Sequence, residues 1–407
     1  MNCRHCKKNL EHTFLDLGFA PPSNAYLARE DLTKPEKYFP LRVKVCTSCW
    51  LVQTEDYTQA DDLFRDDYAY FSSTSSGWLN HAATYAKNVI DRFKLDNASF
   101  VIEIASNDGY LLKNFVNAGI PCLGVEPTAS TAAAAEKLGV PVLQRFFGEA
   151  LAVELVSQKQ QADLIVGNNV YAHVPDINDF TRGLKVALKD GGTITLEFPH
   201  LIQLLACVQF DTVYHEHFSY LSLTAVINIF RSADLRIWDV EELATHGGSI
   251  RVYGCHQKDP RITRNSVTQM LNKEAECGLK SVDTYKNFQV LADNIKYNLV
   301  EFLIQQKRAG KRVAAYGAAA KGNTLLNYAG VKPDLLPFIC DASESKQGKY
   351  MPGSHIPILH PSTLEDYRPD LLLVLPWNIV SEIKMQNWKL EAMGTKFCTA
   401  VPSITLL

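Results

Sequence analysis

Residues 101–112 read VIEIASNDGYLL, an apolar run with one acidic residue that leads into a polar turn and a helix-like segment. From residue 99 onward, short apolar runs alternate with helix-like segments. The apolar runs are SFVIEIAS, IPCLGVEPT, PVLQRFF, ADLIVGNNV, GGTITLEFP, LRIWDVEEL and SIRVYGCH. Strands that alternate with helices predict a parallel sheet covered on both faces, so the predicted fold class is α/β.

The order of these patterns divides the chain of 407 residues into three parts. Paired cysteines, several prolines and short β-like runs occupy residues 1–62, and the alternating block lies within residues 63–257. A long helical region at about 264–308 then precedes further apolar runs, which are KRVAAYGA, LLPFICD, HIPILHP and DLLLVLPW. We therefore predict three domains, with a second α/β unit within residues 258–407.

The composition is that of an ordinary globular protein, with 46% hydrophobic and 21% charged residues. A formal net charge of −3 lacks the basic surplus that nucleic-acid binding usually requires. No apolar run approaches the ~18–20 residues of a membrane span, and the first twelve residues lack the apolar core of a secretory signal. We expect a cytoplasmic monomer that binds neither nucleic acid nor membranes.

Four cysteines form two C-x2-C pairs near the start of the chain, separated by 39 residues. They are Cys3, Cys6, Cys46 and Cys49. Both sulfurs of such a pair can bind one tetrahedral zinc ion at about 2.3 Å, and four thiolates leave no open coordination position. A redox C-x-x-C lacks its usual βαβ context here. The spacing therefore predicts a structural zinc site that performs no chemistry.

Polar residues at the ends of the predicted strands indicate a cofactor site. Glu126 ends the second strand, where a carboxylate can accept hydrogen bonds from two ribose hydroxyls. The turn after the first strand has one glycine instead of G-x-G, which disfavours a nicotinamide dinucleotide and suits S-adenosylmethionine. Two asparagines follow the fourth strand, although asparagine also commonly caps loops. The candidate cofactor-binding residues are Glu103, Ala105, Asn107, Gly109, Glu126, Asn168 and Asn169.

The densest group of chemically active residues lies in FDTVYHEHFSYLS, residues 210–222. A helical zinc motif needs histidines at i and i+4, whereas His215 and His217 are two residues apart. In an extended or turning segment, alternation would place Tyr214 and Glu216 on one side and the two histidines on the other. One histidine could then be fixed by packing while the other faces a substrate.

In order and combination, the motifs of this chain resemble the nucleotide-sugar C-methyltransferase family, whose best-known members are sugar C-3'-methyltransferases of antibiotic biosynthesis. The resemblance covers essentially the whole chain. It rests on the two C-x2-C pairs, EIASNDGYLL, VEPT, NNVYAHVPD, YHEHFSYLS, HGGSIRVY and YGAAAKGNTLLN. It implies a zinc-binding N-terminal domain, a Rossmann-like S-adenosylmethionine-dependent methyltransferase domain and a second Rossmann-like domain without a cofactor of its own.

The resemblance also assigns roles to individual residues. Tyr214 and His217 are the prime catalytic candidates, and the remaining active-site groups correspond to Tyr68, His173 and Glu216. Tyr70 is close enough in the sequence to be an alternative to Tyr68 as a sugar contact. The substrate, a sugar nucleotide, lies between the central and C-terminal domains in that family.

These assignments lead to a mechanistic hypothesis of C-methylation at C-3' of a 4-keto-6-deoxy sugar linked to dTDP or GDP. The ketone acidifies the neighbouring C3–H, so a base can create an enolate that attacks the methyl group. We assign His217 as the base, Glu216 as a group that orients it or its neighbourhood, and Tyr214 or Tyr68 as the donor to the ketone oxygen.

The segment YGAAAKGNTLLN, residues 316–327, is a candidate nucleotide contact. A helix N-terminus and a lysine both favour a diphosphate, so Lys321 and Asn323 are the candidate contacts to the nucleotide. The alternative is a turn that only packs the second α/β unit. For the whole protein, two alternatives remain at this point: an NAD-dependent nucleotide-sugar epimerase or dehydrogenase, and a non-catalytic zinc-ribbon interaction protein.

Overall fold

The structure is a computed structural model that describes residues 1–55 and 71–407. Tyr68 and Tyr70, two of the candidate active-site residues, lie outside the described residues. Three β-sheets organise the described chain, with four, seven and six strands. None of the described helices is both long and apolar enough to cross a membrane.

The N-terminal sheet contains three antiparallel strands from its own domain and one strand from the central domain. Its strand order is β1 (His12–Ala20), β2 (Phe39–Val45), β3 (Val52–Thr54) and β9 (Ser219–Tyr220). β9 belongs to the segment that carries the Y-H-E-H motif, and it pairs antiparallel with β3. The zinc-binding part of the chain is therefore hydrogen-bonded to the candidate catalytic segment.

The central domain is a seven-stranded sheet with helices on both faces. Its strands in chain order are β4 (Val101–Ile104), β5 (Cys122–Val125), β6 (Val142–Leu143), β7 (Ala162–Asn168), β8 (Leu188–Pro199), β10 (Leu235–Leu243) and β11 (Ser249–His256). The spatial order is β10-β11-β8-β7-β4-β5-β6, and β11 is antiparallel to both of its neighbours. Strand order reverses between β4 and β7, which places the ligand crevice of an open α/β sheet beyond their carboxyl ends.

Eight α-helices of the described chain surround this sheet. They are α1 (Ser76–Phe93), α2 (Lys113–Asn117), α3 (Ala129–Lys137), α4 (Glu149–Ser157), α5 (Ile177–Ala187), α6 (Leu201–Ala206), α7 (Leu223–Ser232) and α8 (Asn265–Glu276), of which α6 lies at the end of β8. All four residues of β4 are buried, because helices cover both faces of the central strands. This is why the strand reads as a continuous apolar run instead of an alternating one.

The helical region predicted at 264–308 is three helices, and the first of them packs on the central domain. α8 buries Glu274, whose carboxylate accepts the backbone N–H groups of Leu223 and Thr224 at the start of α7. α9 (Asp283–Lys286) and α10 (Phe288–Arg308) follow. The predicted division at 257/258 therefore separates α8 from the domain against which it packs. A boundary after α8 fits these contacts better.

The C-terminal domain is a second open α/β sheet. Its strands are β12 (Val313–Tyr316), β13 (Ile339–Cys340), β14 (Ile358–Leu359), β15 (Leu371–Val374), β16 (Lys396–Thr399) and β17 (Thr405–Leu406). Its helices are α11 (Ala320–Ala329), α12 (Thr363–Tyr367), α13 (Val380–Gln386) and α14 (Trp388–Ala392). The order β14-β13-β12-β15-β16-β17 is parallel except for β17, and it reverses between β12 and β15. The predicted α/β class with two Rossmann-like units is confirmed.

The domains share apolar contacts. Phe14 of β1 contacts the rings of Tyr285 and Phe288, with ring centroids 5.5 and 4.6 Å apart, so the N-terminal sheet packs against α9 and α10. Thr324 of α11 donates a hydrogen bond to the carbonyl of Val213 over 2.8 Å. α11 of the C-terminal domain thus lies directly against the segment that carries the candidate catalytic residues.

Candidate functional site

The two C-x2-C pairs converge on one point. The Sγ atoms of Cys3, Cys6, Cys46 and Cys49 all lie within 4.8 Å of one another. The Cys3–Cys49 and Cys6–Cys46 sulfur distances are both 3.5 Å. Tetrahedral zinc with bonds of about 2.3 Å requires sulfurs about 3.8 Å apart, so the four thiolates fit this ion. Nearby His5 is engaged elsewhere, since its Nδ1 contacts Oδ1 of Asn178 at 2.7 Å. The four predicted zinc ligands therefore lie together as a tetrahedral site requires.

The loop after β4 has an unusual backbone conformation. Ala105, Asn107 and Gly109 all have positive φ angles, of 56°, 50° and 76°. At Gly109 a Cβ atom would lie 3.0 Å from the Cβ of Ala135 in α3, so the loop approaches this helix too closely for a side chain. Glycine is therefore favoured at this position, both by the positive φ angle and by the close approach of Ala135.

Glu126, directly after β5, closes this loop. Its Oε2 accepts the backbone N–H of Asn107 over 3.0 Å and its Oε1 accepts the N–H of Thr128 over 2.9 Å. A carboxylate has about four acceptor positions, so these two bonds leave capacity for ligand hydroxyls. Glu103 in β4 is buried, and burial raises its pKa well above the ordinary value, with the Asp108 and Glu126 charges adding to the effect.

The asparagines after β7 supply buried polar groups to the same crevice. Neither side-chain atom of Asn168 has a hydrogen-bond partner among the described residues. The Nδ2 of Asn169 contacts Nε2 of His246 at 3.0 Å, and its own backbone φ is 53°. Buried polar atoms without partners are costly unless a ligand satisfies them. The residues at the carboxyl ends of β4, β5 and β7 therefore fit a cofactor with ribose and amino-acid polar groups.

Tyr214 and His217 form the closest pair of candidate catalytic side chains. The Tyr214 hydroxyl lies 2.7 Å from Nε2 of His217, and Nδ1 of His217 lies 2.8 Å from the carbonyl oxygen of Thr212. A carbonyl can only accept, so Nδ1 carries the proton and Nε2 accepts from the tyrosine hydroxyl. Burial lowers the pKa of His217 well below its ordinary value, and the His173 and Lys321 charges act in the same direction. The ring is therefore a neutral base with a fixed tautomer.

This pairing differs from the alternation expected for an extended segment. The backbone N–H of His217 donates to the carbonyl of Tyr214 over 2.9 Å, which makes residues 214–217 a turn and brings its first and last side chains together. His215 points elsewhere and packs edge-on against Phe39. The prediction of opposite sides was wrong for Tyr214 and His217, because a turn does not alternate as a strand does.

Among the described residues, the Glu216 side chain makes no hydrogen bond to His217. Its Oε1 accepts a hydrogen bond from Nδ2 of Asn24 over 3.1 Å, and burial raises its pKa. The group that fixes the His217 ring is the Thr212 carbonyl. The His173 ring lies next to the His217 ring, with the two ring centroids 4.6 Å apart. Burial lowers the pKa of His173 to about 4, so it is a second neutral imidazole in the site.

Lys321, at the start of α11, belongs to the C-terminal domain and lies next to the candidate catalytic segment; the space between the two is hereafter called the cleft. Its Nζ donates to Oδ1 of Asn378 over 2.6 Å and lies 4.6 Å from the centre of the Trp377 ring. Trp377 in turn donates its Nε1–H to Asp211, whose pKa burial raises to about 6. Asn323 is buried, and its amide has no partner among the described residues. Both candidate nucleotide contacts thus sit beside the catalytic segment.

Sequence reasoning assigned no role to a further cluster under this cleft. The Oε2 of Glu197 lies 2.9 Å from Nε2 of His81 and 2.5 Å from a guanidinium nitrogen of Arg251. Burial opposes ionisation of Glu197, but His81 and Arg251 outweigh it and hold its pKa at about 2. The ring of Trp78 stacks on His81 and contacts His246 edge-on. The motif HGGSIRVY, which contains Arg251, marks this region in the sequence. The motif does not show that Arg251 contacts Glu197 and His81, which are distant in the chain.

Three family models match the chain in succession. A zinc binding domain matches residues 3–64, a methyltransferase domain matches residues 78–240 and a C-methyltransferase C-terminal domain matches residues 244–402. The curated relative C-methyltransferase NovU from Streptomyces niveus is 33% identical over 400 residues, which make up 98% of this chain and 95% of NovU. The similarity therefore extends over all three domains.

Solved structures show weaker likeness. A S-adenosylmethionine-dependent methyltransferase from Thermotoga maritima is 16% identical, with a TM-score of 0.34 over 44% of this chain and 91% of that chain. The magnesium protoporphyrin IX methyltransferase from Synechocystis with bound S-adenosylmethionine is 12% identical, with a TM-score of 0.34 over 44% of this chain and 79% of that chain. At these TM-scores neither likeness says anything about the substrate.

Proposed function

Since the chain belongs to the C-methyltransferase family, we propose that it methylates C-3' of a nucleotide-linked 4-keto-6-deoxy sugar. The chain is a S-adenosylmethionine-dependent methyltransferase, as its domain composition and its relative indicate. The family membership predicted from the motifs is confirmed, and it sets aside both the NAD-dependent enzyme and the non-catalytic zinc-ribbon protein. The sugar, the position of the methyl group and the enolate mechanism are what we propose.

One observation supports the mechanism most directly. The Tyr214 hydroxyl and Nε2 of His217 are 2.7 Å apart, and the Thr212 carbonyl holds the proton of the ring on Nδ1. An imidazole that is neutral at pH 7 and has its lone pair directed at an exchangeable group suits general base catalysis. Methylation on carbon needs such a base, because carbon becomes nucleophilic only after a proton has been removed.

The proposed sequence of events uses both partners of this pair. The Tyr214 hydroxyl turns from Nε2 to the ketone oxygen when the sugar binds, and this frees the Nε2 lone pair. His217 then takes the C3 proton, while Tyr214 donates to the oxygen on which negative charge develops. One donor of this kind can contribute about 2.7–4 kcal/mol to the transition state. The protonated His217 lies beside the ring of His173, whose pKa burial lowers to about 4.

The cofactor, when bound, supplies the electrophilic methyl group. The residues proposed to hold it lie beyond β4, β5 and β7. The loop from Ala105 to Gly109 shapes the crevice, and Glu126 accepts hydrogen bonds from the ribose hydroxyls. The buried side-chain amide of Asn168 forms its hydrogen bonds with the ligand. The alignment of the two substrates accounts for much of the remaining acceleration, and water is excluded by the buried side chains around the cleft.

The nucleotide is proposed to bind on the C-terminal side of the cleft. The positive end of α11 and the Lys321 ammonium favour a diphosphate, and Asn323 offers a buried amide without a protein partner among the described residues. dTDP and GDP are the two nucleotides we consider, and the protein is proposed to act as a cytoplasmic monomer. Tyr68 or Tyr70 remains a proposed sugar contact.

The proposal is tested with dTDP- and GDP-linked 4-keto-6-deoxyhexoses. Mass spectrometry with S-adenosylmethionine present should detect a gain of one methyl group, and NMR should locate it at C-3'. Without S-adenosylmethionine in D2O, the wild-type enzyme should exchange the C3 proton for deuterium, and His217→Asn should abolish the exchange. Methyl transfer at wild-type rate by His217→Asn, or transfer to an oxygen or nitrogen, would overturn the proposal.

A further inference from the structure

His246 has a backbone conformation that histidine seldom adopts. It lies in a short 3-10 turn between β10 and β11 with φ 53° and ψ 26°. Residues other than glycine occupy this left-handed region in only a few per cent of cases, and where they do, the strain is often stored at a functional site. The motif HGGSIRVY begins at this residue, and the proposed function gives it no role.

Contacts on both sides hold the turn in place. The Thr245 hydroxyl donates to Oε1 of the buried Glu197 over 2.8 Å, and the Ser249 hydroxyl donates to the Thr245 carbonyl over 3.0 Å. At Gly247 a Cβ atom would come within 2.4 Å of the Trp377 ring, so the turn touches the C-terminal domain directly. The backbone of His246 is therefore fixed by the central domain and lies at the boundary with the C-terminal domain.

The ring of His246 is oriented as well. Its Nε2 lies 3.0 Å from Nδ2 of Asn169, and an amide nitrogen can only donate, so Nε2 accepts and the proton lies on Nδ1. The Trp78 ring contacts the imidazole edge-on, with centroids 4.9 Å apart. Within residues 1–55 and 71–407, no acceptor for Nδ1–H is present. The ring thus has one nitrogen held by the protein and one donor left for a ligand.

The neighbours of the ring identify that ligand. On one side of His246, Asn169 follows β7 at the cofactor crevice. On the other side of the cleft lies Trp377, whose ring face contacts the Lys321 ammonium. The Gly247 backbone next to His246 lies against the same Trp377 ring that Lys321 contacts at 4.6 Å, so His246 lies close to both domains. Burial lowers the pKa of His246 to about 4, which leaves the ring uncharged at neutral pH. A neutral N–H donor suits a hydroxyl or carbonyl oxygen better than a diphosphate.

We propose that His246 is a substrate-binding residue whose Nδ1–H donates a hydrogen bond to an oxygen of the acceptor sugar. This inference rests on the proposed function, because it takes the keto sugar as the ligand between the two domains. Thr245, Glu197 and Asn169 act as positioning residues for the ring. The left-handed backbone is what directs the imidazole towards the cleft.

The experiment measures two dissociation constants for purified full-length variants by calorimetry: one for S-adenosylmethionine and one for a dTDP-linked 4-keto-6-deoxyhexose. His246→Gly keeps the left-handed backbone without strain and removes the donor, so it should weaken sugar binding by about tenfold and leave S-adenosylmethionine binding unchanged. His246→Asn tolerates the same backbone and carries an N–H donor, so it should recover part of the affinity. His355→Asn is the matched control, since His355 is also left-handed, with φ 57°, and contacts Glu36 instead of the cleft.

Wild-type sugar affinity in His246→Gly, or an equal loss of affinity for S-adenosylmethionine, would overturn the assignment of His246. These results differ from a failure of the proposed function. Sugar binding by the wild-type protein without methyl transfer would refute the C-methylation, while the variants would still report on His246. If the wild-type protein bound none of the keto sugars, both proposals would fall together.

Discussion

The Nδ2 of Asn24 donates a hydrogen bond to Oε1 of Glu216 over 3.1 Å, and this bond joins the zinc-binding domain to the Y-H-E-H turn. The same turn continues into β9, which pairs with β3 of the N-terminal sheet. Two independent connections therefore hold the candidate catalytic turn against the domain that the zinc ion organises. We expect the zinc site to affect catalysis only through the position of this turn, because four thiolates leave the ion no open coordination position.

The first prediction concerns removal of the zinc ion. A strong chelator, or Cys49→Ser, should lower the free energy of unfolding by more than about 4 kcal/mol, a size typical of a lost structural metal. The rate of methyl transfer should also fall, because without zinc the N-terminal sheet would no longer hold β3 paired with β9. Denaturant unfolding, metal analysis and turnover check this. Cys277→Ser, which changes an exposed cysteine outside the cluster, is the control. Full activity of a metal-free enzyme would contradict the prediction, and replacement of zinc by cadmium should leave turnover unchanged.

The second prediction concerns the contribution of the Glu216 carboxyl group to the stability of the fold. Burial raises its pKa, so the folded protein binds a proton at Glu216 more tightly than the unfolded chain does. That contribution to stability is complete below the unfolded pKa and is lost as pH rises. At pH 7.5, Glu216→Gln should therefore stabilise the fold, by on the order of 1 kcal/mol, while methyl transfer falls.

Thermal unfolding and turnover, both measured at pH 7.5, test whether Glu216→Gln is more stable and less active than the wild-type protein. Glu242→Gln is the control for the loss of a carboxylate, because Glu242 is a surface residue paired with Lys273. A Glu216→Gln variant that is both less stable and fully active would show that the residue has a purely structural role.

The strands, the two α/β units and the four zinc ligands could be predicted from the sequence because each depends on a local pattern. The functional site depends on contacts that no local pattern specifies. Tyr214 meets His217 only because residues 214–217 turn, and His246 meets Asn169 across 77 positions of the chain. α8 belongs to the central domain through the buried Glu274 and its bonds to α7. Turns and long-range polar contacts are decided by tertiary packing, which motif spacing does not encode.

The third prediction separates backbone strain from close packing at the cofactor loop. Gly109 and Gly119 have similar φ angles of 76° and 70°, but only Gly109 lies against a neighbouring helix, and a Cβ at Gly119 would meet nothing within 4 Å. Alanine at Gly119 should cost about 1–2 kcal/mol of stability through the left-handed backbone alone. Gly109→Ala should cost about 1–3 kcal/mol more, because its Cβ would press against Ala135.

Gly109→Ala should also weaken S-adenosylmethionine binding, measured by calorimetry, whereas Gly119→Ala should bind it as the wild-type protein does. Equal affinities in the two variants would remove Gly109 from the cofactor site and leave it a packing residue.

The last prediction concerns acid sensitivity and His217. Burial lowers the pKa of His217 in the folded protein, so the unfolded chain binds its proton first as pH falls. The stability contributed by the neutral ring is present above the unfolded pKa, about 6.5, and is lost towards the lower folded pKa. Asp211 acts in the opposite direction because burial raises its pKa to about 6, but both it and His173 are present in wild type and variant alike. Their effects cancel when the two proteins are compared.

The free energy of unfolding of wild type should therefore fall faster than that of His217→Asn below pH 6.5, by up to about 1.4 kcal/mol per pH unit. The variant also loses the bonds to Tyr214 and Thr212, which lowers its stability by the same amount at every pH and leaves the slope unaffected. Denaturant titrations at pH 7.5, 6.5 and 5.5 measure the slope, with the exposed His360 changed to asparagine as the control. Parallel curves for wild type and His217→Asn would mean that the ring is not held neutral, and the assignment of His217 as the base would lose its physical support.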